Sequence, residues 1–233
     1  MKIIVTGAAG GLGKSLCKEA FLRGWDVIGV DVAAADDEVK AMMATKRMEY
    51  YTCDMGHSPQ VAELAGLIRE KENALDGIVN NVGVVLGREA VLESLNLDDV
   101  RRSMEINVYG PMTLTQGLLP LLRKSKRAGI VNISSSAAAI KGTREIDYPY
   151  AMSKCALNMF TEKLRIYLER DHIAVAAVHP GWMRTALGGD NASVSPAEVA
   201  VHVLDILCGK QPVTAVPAFV NRFGEPVLDR NEI

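Results

Sequence analysis

Tyr150 and Lys154 are the residues whose types and spacing carry the clearest chemistry in this chain. Residues four apart lie on one face of a helix, so the two side chains are neighbours if this segment is helical. A free tyrosine titrates at about pH 10 and is a poor base at neutral pH. A nearby ammonium stabilises the phenolate and lowers that pKa. The pair therefore predicts an acid–base couple that moves a proton to or from a substrate hydroxyl.

A second tyrosine, Tyr148, competes for this role. The residue four positions after it is Met152, which offers no cation. Pro149 suits the first position of a helix and disfavours helical backbone at the residue before it. We therefore expect Tyr148 to be extended and assign the acid–base role to Tyr150.

A glycine-rich turn follows the first predicted strand and opens directly into a predicted helix. Its sequence over residues 6–13 is Thr-Gly-Ala-Ala-Gly-Gly-Leu-Gly. The N-terminus of a helix favours a phosphate because its N–H groups and its dipole both attract negative charge. Gly11 and Gly13 leave room for the close approach that this requires. In a strand–turn–helix context, the turn predicts a site for a dinucleotide pyrophosphate.

An acidic residue, Asp31, ends the next predicted strand, eighteen residues after Gly13 (31 − 13). This is close to the separation of about 20 residues expected for the acid that binds the adenosine ribose. An ionised Asp31 would accept hydrogen bonds from the ribose hydroxyls and would repel a 2′-phosphate. Neither Gly10 nor Val32 supplies a cation that could neutralise such a phosphate. The prediction is NAD as the cofactor, with NADP less favoured. The alternative is that Asp31 is a solvated turn residue.

Short apolar runs alternate with longer segments of helical periodicity. The predicted strands are Lys2–Thr6, Asp26–Asp31, Met48–Asp54, Asp76–Asn80, Gly129–Ser134, Ile173–Val178 and Val213–Ala218. The predicted helices are Leu12–Arg23, Pro59–Glu72, Leu97–Leu122, Tyr150–Leu168 and Pro196–Leu207. Continuously apolar strands are typical of a parallel sheet covered on both faces. We expect one α/β domain over residues 1–233, a doubly wound parallel sheet of about seven strands in a three-layer α/β/α sandwich.

The composition of the chain argues against nucleic-acid-binding and membrane-spanning proteins. The chain has 233 residues, of which 26 are Lys or Arg and 28 are Asp or Glu, for a net charge of −2. This nearly balanced charge does not favour binding to nucleic acid. No apolar run approaches the ~18 residues of a membrane-spanning helix. Four cysteines lie far apart and no metal-ligand spacing occurs, so we expect reduced thiols, no metal and a cytoplasmic location.

The motifs occur in an order that resembles the short-chain dehydrogenase/reductase family, whose fold is of the Rossmann type. The matching segments are Thr-Gly-x-x-x-Gly-x-Gly, Asn80-Asn81-Val82-Gly83, Ile106-Asn107-Val108, Asn132-Ile133-Ser134-Ser135, Tyr150-x-x-x-Lys154 and Pro180-Gly181. Val82 departs from the alanine of the family pattern. The stretch from residue 179 to 198 resembles small carbonyl reductases and C-signal-like proteins.

The resemblance assigns roles to individual residues. It implies that Asn107, Ser135, Tyr150 and Lys154 are catalytic, and that Lys154 also binds the nicotinamide ribose. It further implies that Asp54 contacts the adenine amino group. The cofactor-binding residues are then expected to be Gly7, Gly11, Leu12, Gly13, Asp31, Asp54, Met55, Asn81, Gly83, Tyr150, Lys154, Pro180, Gly181, Met183 and Thr185.

Three consecutive serines, residues 134–136, follow the fifth predicted strand. Alignment with the family places the hydroxyl that bonds the substrate oxygen at Ser135, and Ser136 stays an alternative. The spacing to Tyr150 is slightly longer than the family's commonest one, which places extra residues in the loop 140–148 on the substrate side. Asn107 either holds a water that relays protons from Lys154 or is an ordinary polar helix residue. His179 is expected to be structural rather than a catalytic base.

The expected activity is hydride transfer between NAD and an alcohol or carbonyl substrate, with residues 182–212 shaping a relatively open substrate pocket. Two alternatives are a non-catalytic protein that senses NAD and a nucleotide-sugar epimerase-like enzyme, whose relatives are longer and have a different glycine spacing. The resemblance also implies a homodimer or homotetramer formed by the helices Leu97–Leu122 and Tyr150–Leu168, with no nucleic-acid or membrane partner.

Overall fold

Seven strands and seven α-helices alternate along the computed structural model, which describes residues 1–231. The strands are β1 (Lys2–Thr6), β2 (Asp26–Asp31), β3 (Met48–Thr52), β4 (Gly77–Asn80), β5 (Gly129–Ile133), β6 (Ala174–His179) and β7 (Phe219–Asn221). The helices are α1 (Gly11–Leu22), α2 (Asp37–Ala44), α3 (Ser58–Lys71), α4 (Leu97–Met104), α5 (Gly110–Leu122), α6 (Tyr148–Leu168) and α7 (Pro196–Leu207).

The strands form one parallel sheet in the order β3-β2-β1-β4-β5-β6-β7. Successive residues of a strand point to opposite faces. Ile3 and Val5 of β1 pack with α1 and α7, whereas Ile4 packs with α3 and α5. Both faces of the sheet are therefore buried, and the prediction of a single-domain, three-layer α/β/α fold is confirmed.

The strand order reverses between β1 and β4, which are neighbours in the sheet but not in the sequence. In open α/β sheets the crevice at such a reversal, outside the carboxyl ends of the strands, is where ligands bind. The fold therefore places a binding crevice next to the glycine-rich turn after β1.

One predicted strand is wrong and one helix was not predicted, and several other boundaries differ by one or two residues. The predicted strand Val213–Ala218 is wrong, because the seventh strand is Phe219–Asn221. The apolar run that suggested it is bounded by Pro212 and Pro217, which have no N–H to donate to a sheet, and Val216 is 75% exposed. Helix α2 was not predicted. It is capped by Asp36, whose side chain accepts the N–H of Val39.

Two of the predicted helices differ from the observed ones at the candidate site. The predicted helix Leu97–Leu122 is interrupted by a π-helical segment over Glu105–Tyr109, a feature that often marks functional sites. Helix α6 begins at Tyr148 rather than Tyr150, so the expected extended conformation of Tyr148 is wrong. Pro149 is tolerated within the first turn because an N–H there has no helical acceptor.

No helix within residues 1–231 is both long and apolar enough to cross a membrane. All four cysteines are free thiols, and three of them are buried. Burial raises the pKa of Cys17 to about 12, so this thiol is an inert part of the core.

Candidate active site

The glycine-rich turn is packed so tightly that side chains would not fit. A Cβ on Gly13 would lie 1.9 Å from the carbonyl oxygen of Gly7, and a Cβ on Gly7 would lie 2.7 Å from Nδ2 of Asn81. Gly7 and Gly11 also have positive φ angles of 70° and 50°, which favour glycine. The turn therefore presents bare backbone at the N-terminus of α1, while the side chain of Leu12 is buried beneath it.

Thr6 joins this turn to the end of β4. Its Oγ1 accepts the N–H of Asn81 at 3.0 Å and the N–H of Val82 at 3.1 Å. The side-chain amide of Asn81 donates in return to the Thr6 carbonyl at 2.8 Å. Asn81 is thus fixed at the point where the strand order reverses.

Asp31 lies directly against the turn. One carboxylate oxygen accepts the N–H of Ala9 at 2.9 Å and the other accepts the N–H of Ala33 at 3.0 Å. Each carboxylate oxygen can accept a second hydrogen bond, so the carboxylate can still receive ribose hydroxyls. The position of Asp31 therefore does not fit the alternative of a turn residue that only water contacts.

A lysine follows the glycine-rich turn and is paired with acidic side chains of the α2 region. Lys14, in the first turn of α1, pairs with Asp36 and lies 3.4 Å from Glu38. The hydrogen bond with Asp36 raises the pKa of Lys14. Asp36 and Glu38 thus compensate the charge of Lys14.

Asp54 follows β3 and is held by an arginine from another element. Arg102 of α4 donates to Oδ2 of Asp54 at 2.8 Å and to the Gly56 carbonyl at 3.1 Å. The hydrogen bond with Arg102 lowers the pKa of Asp54, so the carboxylate is ionised. The next residue, Met55, is buried, and a Cβ on Gly110 would lie 2.2 Å from its carbonyl oxygen.

Lys154 and Tyr150 face each other in the first turns of α6. Nζ of Lys154 lies 5.8 Å from the centroid of the Tyr150 ring. It donates to the carbonyl of Ile133, the last residue of β5, at 2.7 Å. Lys154 is only 3% exposed, and this burial lowers its pKa to about 8.

The pKa of Tyr150 is raised, whereas its spacing to Lys154 predicts that the pKa is lowered. Burial raises the pKa of this hydroxyl, while interactions with Ser135 and with the charge of Arg88 act in the opposite direction. Desolvation favours the neutral phenol and exceeds these opposing effects. The isolated protein therefore keeps Tyr150 protonated at neutral pH.

The three serines after β5 have different partners. The hydroxyl of Ser134 donates to Oδ1 of Asn158 at 2.6 Å. The hydroxyl of Ser135 interacts with Tyr150 and accepts the N–H of Ala137 at 3.2 Å. Ser136 is held through its backbone N–H. Of the three, Ser135 is the serine whose side chain the structure brings to Tyr150.

His179, at the end of β6, accepts the N–H of Ser136 through Nδ1 at 3.0 Å. Burial and the nearby charge of Arg222 lower the pKa of His179 to about 4, so the imidazole is neutral at physiological pH. Its hydrogen bond ties β6 to the serine segment after β5. The geometry accords with the structural role expected for this histidine.

Asn107 lies in the π-helical segment and is completely buried. Its Nδ2 donates to the Val84 carbonyl at 3.0 Å and to Oγ of Ser153 at 2.9 Å, while its Oδ1 accepts the N–H of Val84 at 2.9 Å. A Cβ on Gly83 would lie 3.2 Å from Nζ of Lys154. The side chain of Asn107 therefore holds the segment after β4 against Lys154, and both of its amide hydrogens are already used.

The loop after β6 reaches back towards the glycine turn. Gly181 follows Pro180 with a φ of 88°, and Met183 forms a β-bridge with Val194. The methyl group of Thr185 lies 3.3 Å from the position that a Cβ on Gly11 would take. The loop thus brings Thr185 over the glycine turn.

Most of the predicted site residues lie at or beyond the carboxyl ends of the parallel strands. They comprise residues 7–13 after β1, Asp31 at the end of β2, Asp54 and Met55 after β3, Asn81 and Gly83 after β4, Ser135 after β5 and residues 180–185 after β6. Asn107, Tyr150 and Lys154 approach this edge from the helical layer. Along this edge of the sheet, the predicted cofactor residues lie towards the β1 end and the predicted acid–base residues lie at the β5 end.

A sequence profile of the family described as short chain dehydrogenase matches residues 1–194. Among similar characterised proteins is the 1-hydroxy-2-glutathionyl-2-methyl-3-butene dehydrogenase of Rhodococcus sp. (strain AD45), 29% identical over 223 residues, which cover 91% of this chain and 93% of the relative. Similar solved structures include the carbonyl reductase Sniffer of D. melanogaster, with a TM-score of 0.84, 24% identity and coverage of 97% of this chain and 98% of that one. Another is a short-chain dehydrogenase/reductase of Burkholderia multivorans with bound NADP, with a TM-score of 0.82, 26% identity and coverage of 97% and 98%. Since the profile spans most of the sequence, this chain belongs to the short-chain dehydrogenase/reductase family.

Proposed function

We propose that this protein is an NAD-dependent dehydrogenase or carbonyl reductase that interconverts an alcohol and a carbonyl compound. The observation that carries the proposal is the convergence of Ser135, Tyr150 and Lys154 at the edge of the sheet where the glycine turn and Asp31 also lie. Membership of the short-chain dehydrogenase/reductase family supports an oxidoreductase.

The residues present fit a nicotinamide dinucleotide. The bare backbone around Gly11 and Gly13 suits a pyrophosphate, since any Cβ on Gly13 would fill the space beside Gly7. Asp31 would bind the adenosine ribose, Asp54 the adenine and Thr185 the nicotinamide carboxamide. The bound nicotinamide would supply or accept the hydride.

The side chains of this protein would control the proton and the substrate oxygen. The Ser135 hydroxyl would hold the substrate oxygen by a hydrogen bond that strengthens as negative charge builds there. Tyr150 would donate its proton to that oxygen in reduction and remove a proton in oxidation. The Lys154 ammonium would stabilise the phenolate that reduction leaves behind. Because Tyr150 is protonated at neutral pH, the protein without bound cofactor or substrate already holds the proton that reduction of a carbonyl group requires.

The choice of NAD over NADP rests on the charges around the adenosine ribose. Asp31 places a carboxylate against the turn, and a 2′-phosphate there would meet like charge. Lys14 could attract such a phosphate, but Asp36 and Glu38 compensate its charge. The similar Burkholderia multivorans structure contains NADP, and the relative kcat/KM with NADH and NADPH distinguishes the two cofactors for this chain.

Purified protein should oxidise NADH in the presence of a carbonyl substrate from a panel of aldehydes, quinones, steroids and keto sugars. We expect kcat/KM to be higher with NADH than with NADPH. The variant Asp31→Asn should reduce this preference by about tenfold, which corresponds to about 1.4 kcal/mol, because it removes the repelling charge. The exposed Asp37→Asn is the matched control and should leave the preference unchanged. Equal or higher kcat/KM with NADPH in the unmodified protein would contradict the assignment.

The rate of carbonyl reduction should fall as the pH rises through about 8. The folded-state pKa of Lys154 is lowered to about 8, so above that pH its amine loses the charge that stabilises the phenolate. Oxidation of the alcohol should instead increase with pH, because it needs Tyr150 deprotonated. The measurement is kcat/KM in both directions between about pH 6 and about pH 9.5. A flat profile for reduction would contradict the role of Lys154.

We further propose that two copies of this chain associate through α6 and the adjoining part of α5. Met152, Met159 and Ile166 are spaced by seven residues along one face of α6 and are each more than half exposed. Tyr109, at the end of the π-helical segment, and Met112, in the first turn of α5, add exposed apolar surface. Such a stripe of apolar side chains on neighbouring helices is typical of an interface between subunits.

Light scattering should give the mass of a dimer or tetramer for the unmodified protein. The variant Met159→Glu should shift the mass towards the monomer, because it places a charge in the buried interface. The control Leu22→Glu replaces a residue of α1 that is 83% exposed and should leave the mass unchanged. A monomeric mass for the unmodified protein would overturn this proposal.

A further inference from the structure

Arg88 belongs to the segment after β4 that already contacts the catalytic residues. In this segment Gly83 lies against Lys154, and a Cβ on Gly87 would lie 3.4 Å from Cγ of Pro149. Pro149 directly precedes Tyr150 in α6. The backbone of Arg88 is therefore held beside the first turn of the helix that supplies the acid–base pair.

The side chain of Arg88 extends from there to the loop after β6. Its Nη2 donates to the carbonyl of Leu187 at 2.9 Å. Leu187 follows Thr185, the residue that lies over the glycine turn. The next carbonyl, that of Gly188, accepts the indole N–H of Trp182 at 2.8 Å. The guanidinium thus spans the rim of the crevice between the acid–base residues and the loop over the cofactor residues.

Arg88 forms no ion pair with an acidic side chain of the described residues. Within residues 1–231, no carboxylate oxygen lies within 4.0 Å of its guanidinium nitrogens. Arg230 also influences Tyr150, but it forms a largely buried pair with Asp147. Burial raises the pKa of the Tyr150 hydroxyl and the positive charge of Arg88 opposes this, so the two groups are electrostatically coupled. The guanidinium of Arg88 therefore contributes a positive charge at the rim of the reaction site that no ion pair within the described residues holds.

We propose that Arg88 binds a carboxylate of the substrate, and that the substrate is an aldehyde, ketone or alcohol bearing a carboxylate group away from the reacting carbon. A guanidinium has five N–H donors in a planar fork that matches a carboxylate, and Arg88 uses one of them on Leu187. Arg88 would act by binding and orienting the substrate and not by transferring a proton. This inference rests on the proposed oxidoreductase function and names the class of substrate.

Matched pairs of substrates test the inference. Straight-chain aldehyde acids of increasing length are compared with their methyl esters, which keep the shape and lose the charge, with NADH consumption as the readout. At the best chain length, kcat/KM of the unmodified enzyme should be at least about tenfold higher for the acid, mainly through a lower KM. Arg88→Gln should lower kcat/KM for the acid to the level of the ester, and Arg88→Lys should keep part of the preference. The exposed Arg69→Gln on α3 is the control and should change neither value.

Several outcomes would overturn the inference and are distinguishable. An ester that is turned over as well as its acid would refute the substrate class and leave the oxidoreductase function standing. A preference for the acid that survives in Arg88→Gln would refute the role of Arg88. Equal losses for acid and ester in that variant would show that Arg88 only supports the loop at Leu187. Absence of turnover with every carbonyl compound and both cofactors would refute the proposed function itself, and this inference with it.

Discussion

The buried ammonium of Lys154 is the interaction on which the geometry of the site depends. A cation removed from water is tolerated only when its donors find partners, and here Nζ donates to the carbonyl of Ile133 at the end of β5. This bond joins α6 to the carboxyl edge of the sheet. Tyr150 lies one helical turn earlier on the same face, so its ring is held 5.8 Å from Nζ and beside Ser135. The hydrogen bonds from Ser134 to Asn158 and from Asn132 to Thr161 also join β5 to α6, so these bonds and the pitch of the helix set the position of the acid–base pair relative to the sheet.

The parallel sheet explains why the other components meet at the same place. Because all seven strands run in one direction, the residues that follow them share one edge, and the reversal of strand order opens a crevice there. The close contacts among Gly7, Gly13 and Asn81 show how little space the backbone leaves at that point. Asn107 extends the arrangement from the helical layer by holding Val84 through two hydrogen bonds and Ser153 through a third, and this aligns the segment that leads to Arg88.

Features that depend on local spacing could be predicted from the sequence. The offset between Tyr150 and Lys154 indicates a shared helical face, and apolar runs such as Lys2–Thr6 indicate buried strands. The strand boundary at the C-terminus could not be predicted in the same way. The run Val213–Ala218 has the composition of a strand, but the prolines at its ends prevent regular pairing. The π-helical segment around Asn107 is likewise invisible to a pattern based on a period of 3.6 residues.

Contacts between residues far apart in the sequence could not be predicted for a different reason. Asp54 and Arg102 are 48 residues apart, and Arg88 and Leu187 are 99 apart, so no local pattern connects them. The direction of the Tyr150 pKa depended on burial, which spacing alone does not reveal.

The claim that Tyr150 is the acid–base residue is tested most directly by removing its hydroxyl alone. Transfer of deuterium from NADH labelled at C4 to a carbonyl substrate can be followed by mass spectrometry in Tyr150→Phe and in the neighbouring control Tyr148→Phe. The account predicts that Tyr150→Phe lowers the transfer rate by about 10²–10⁴-fold while its Kd for NADH is retained, and that the control transfers at the original rate. Transfer at the original rate in Tyr150→Phe would contradict the account.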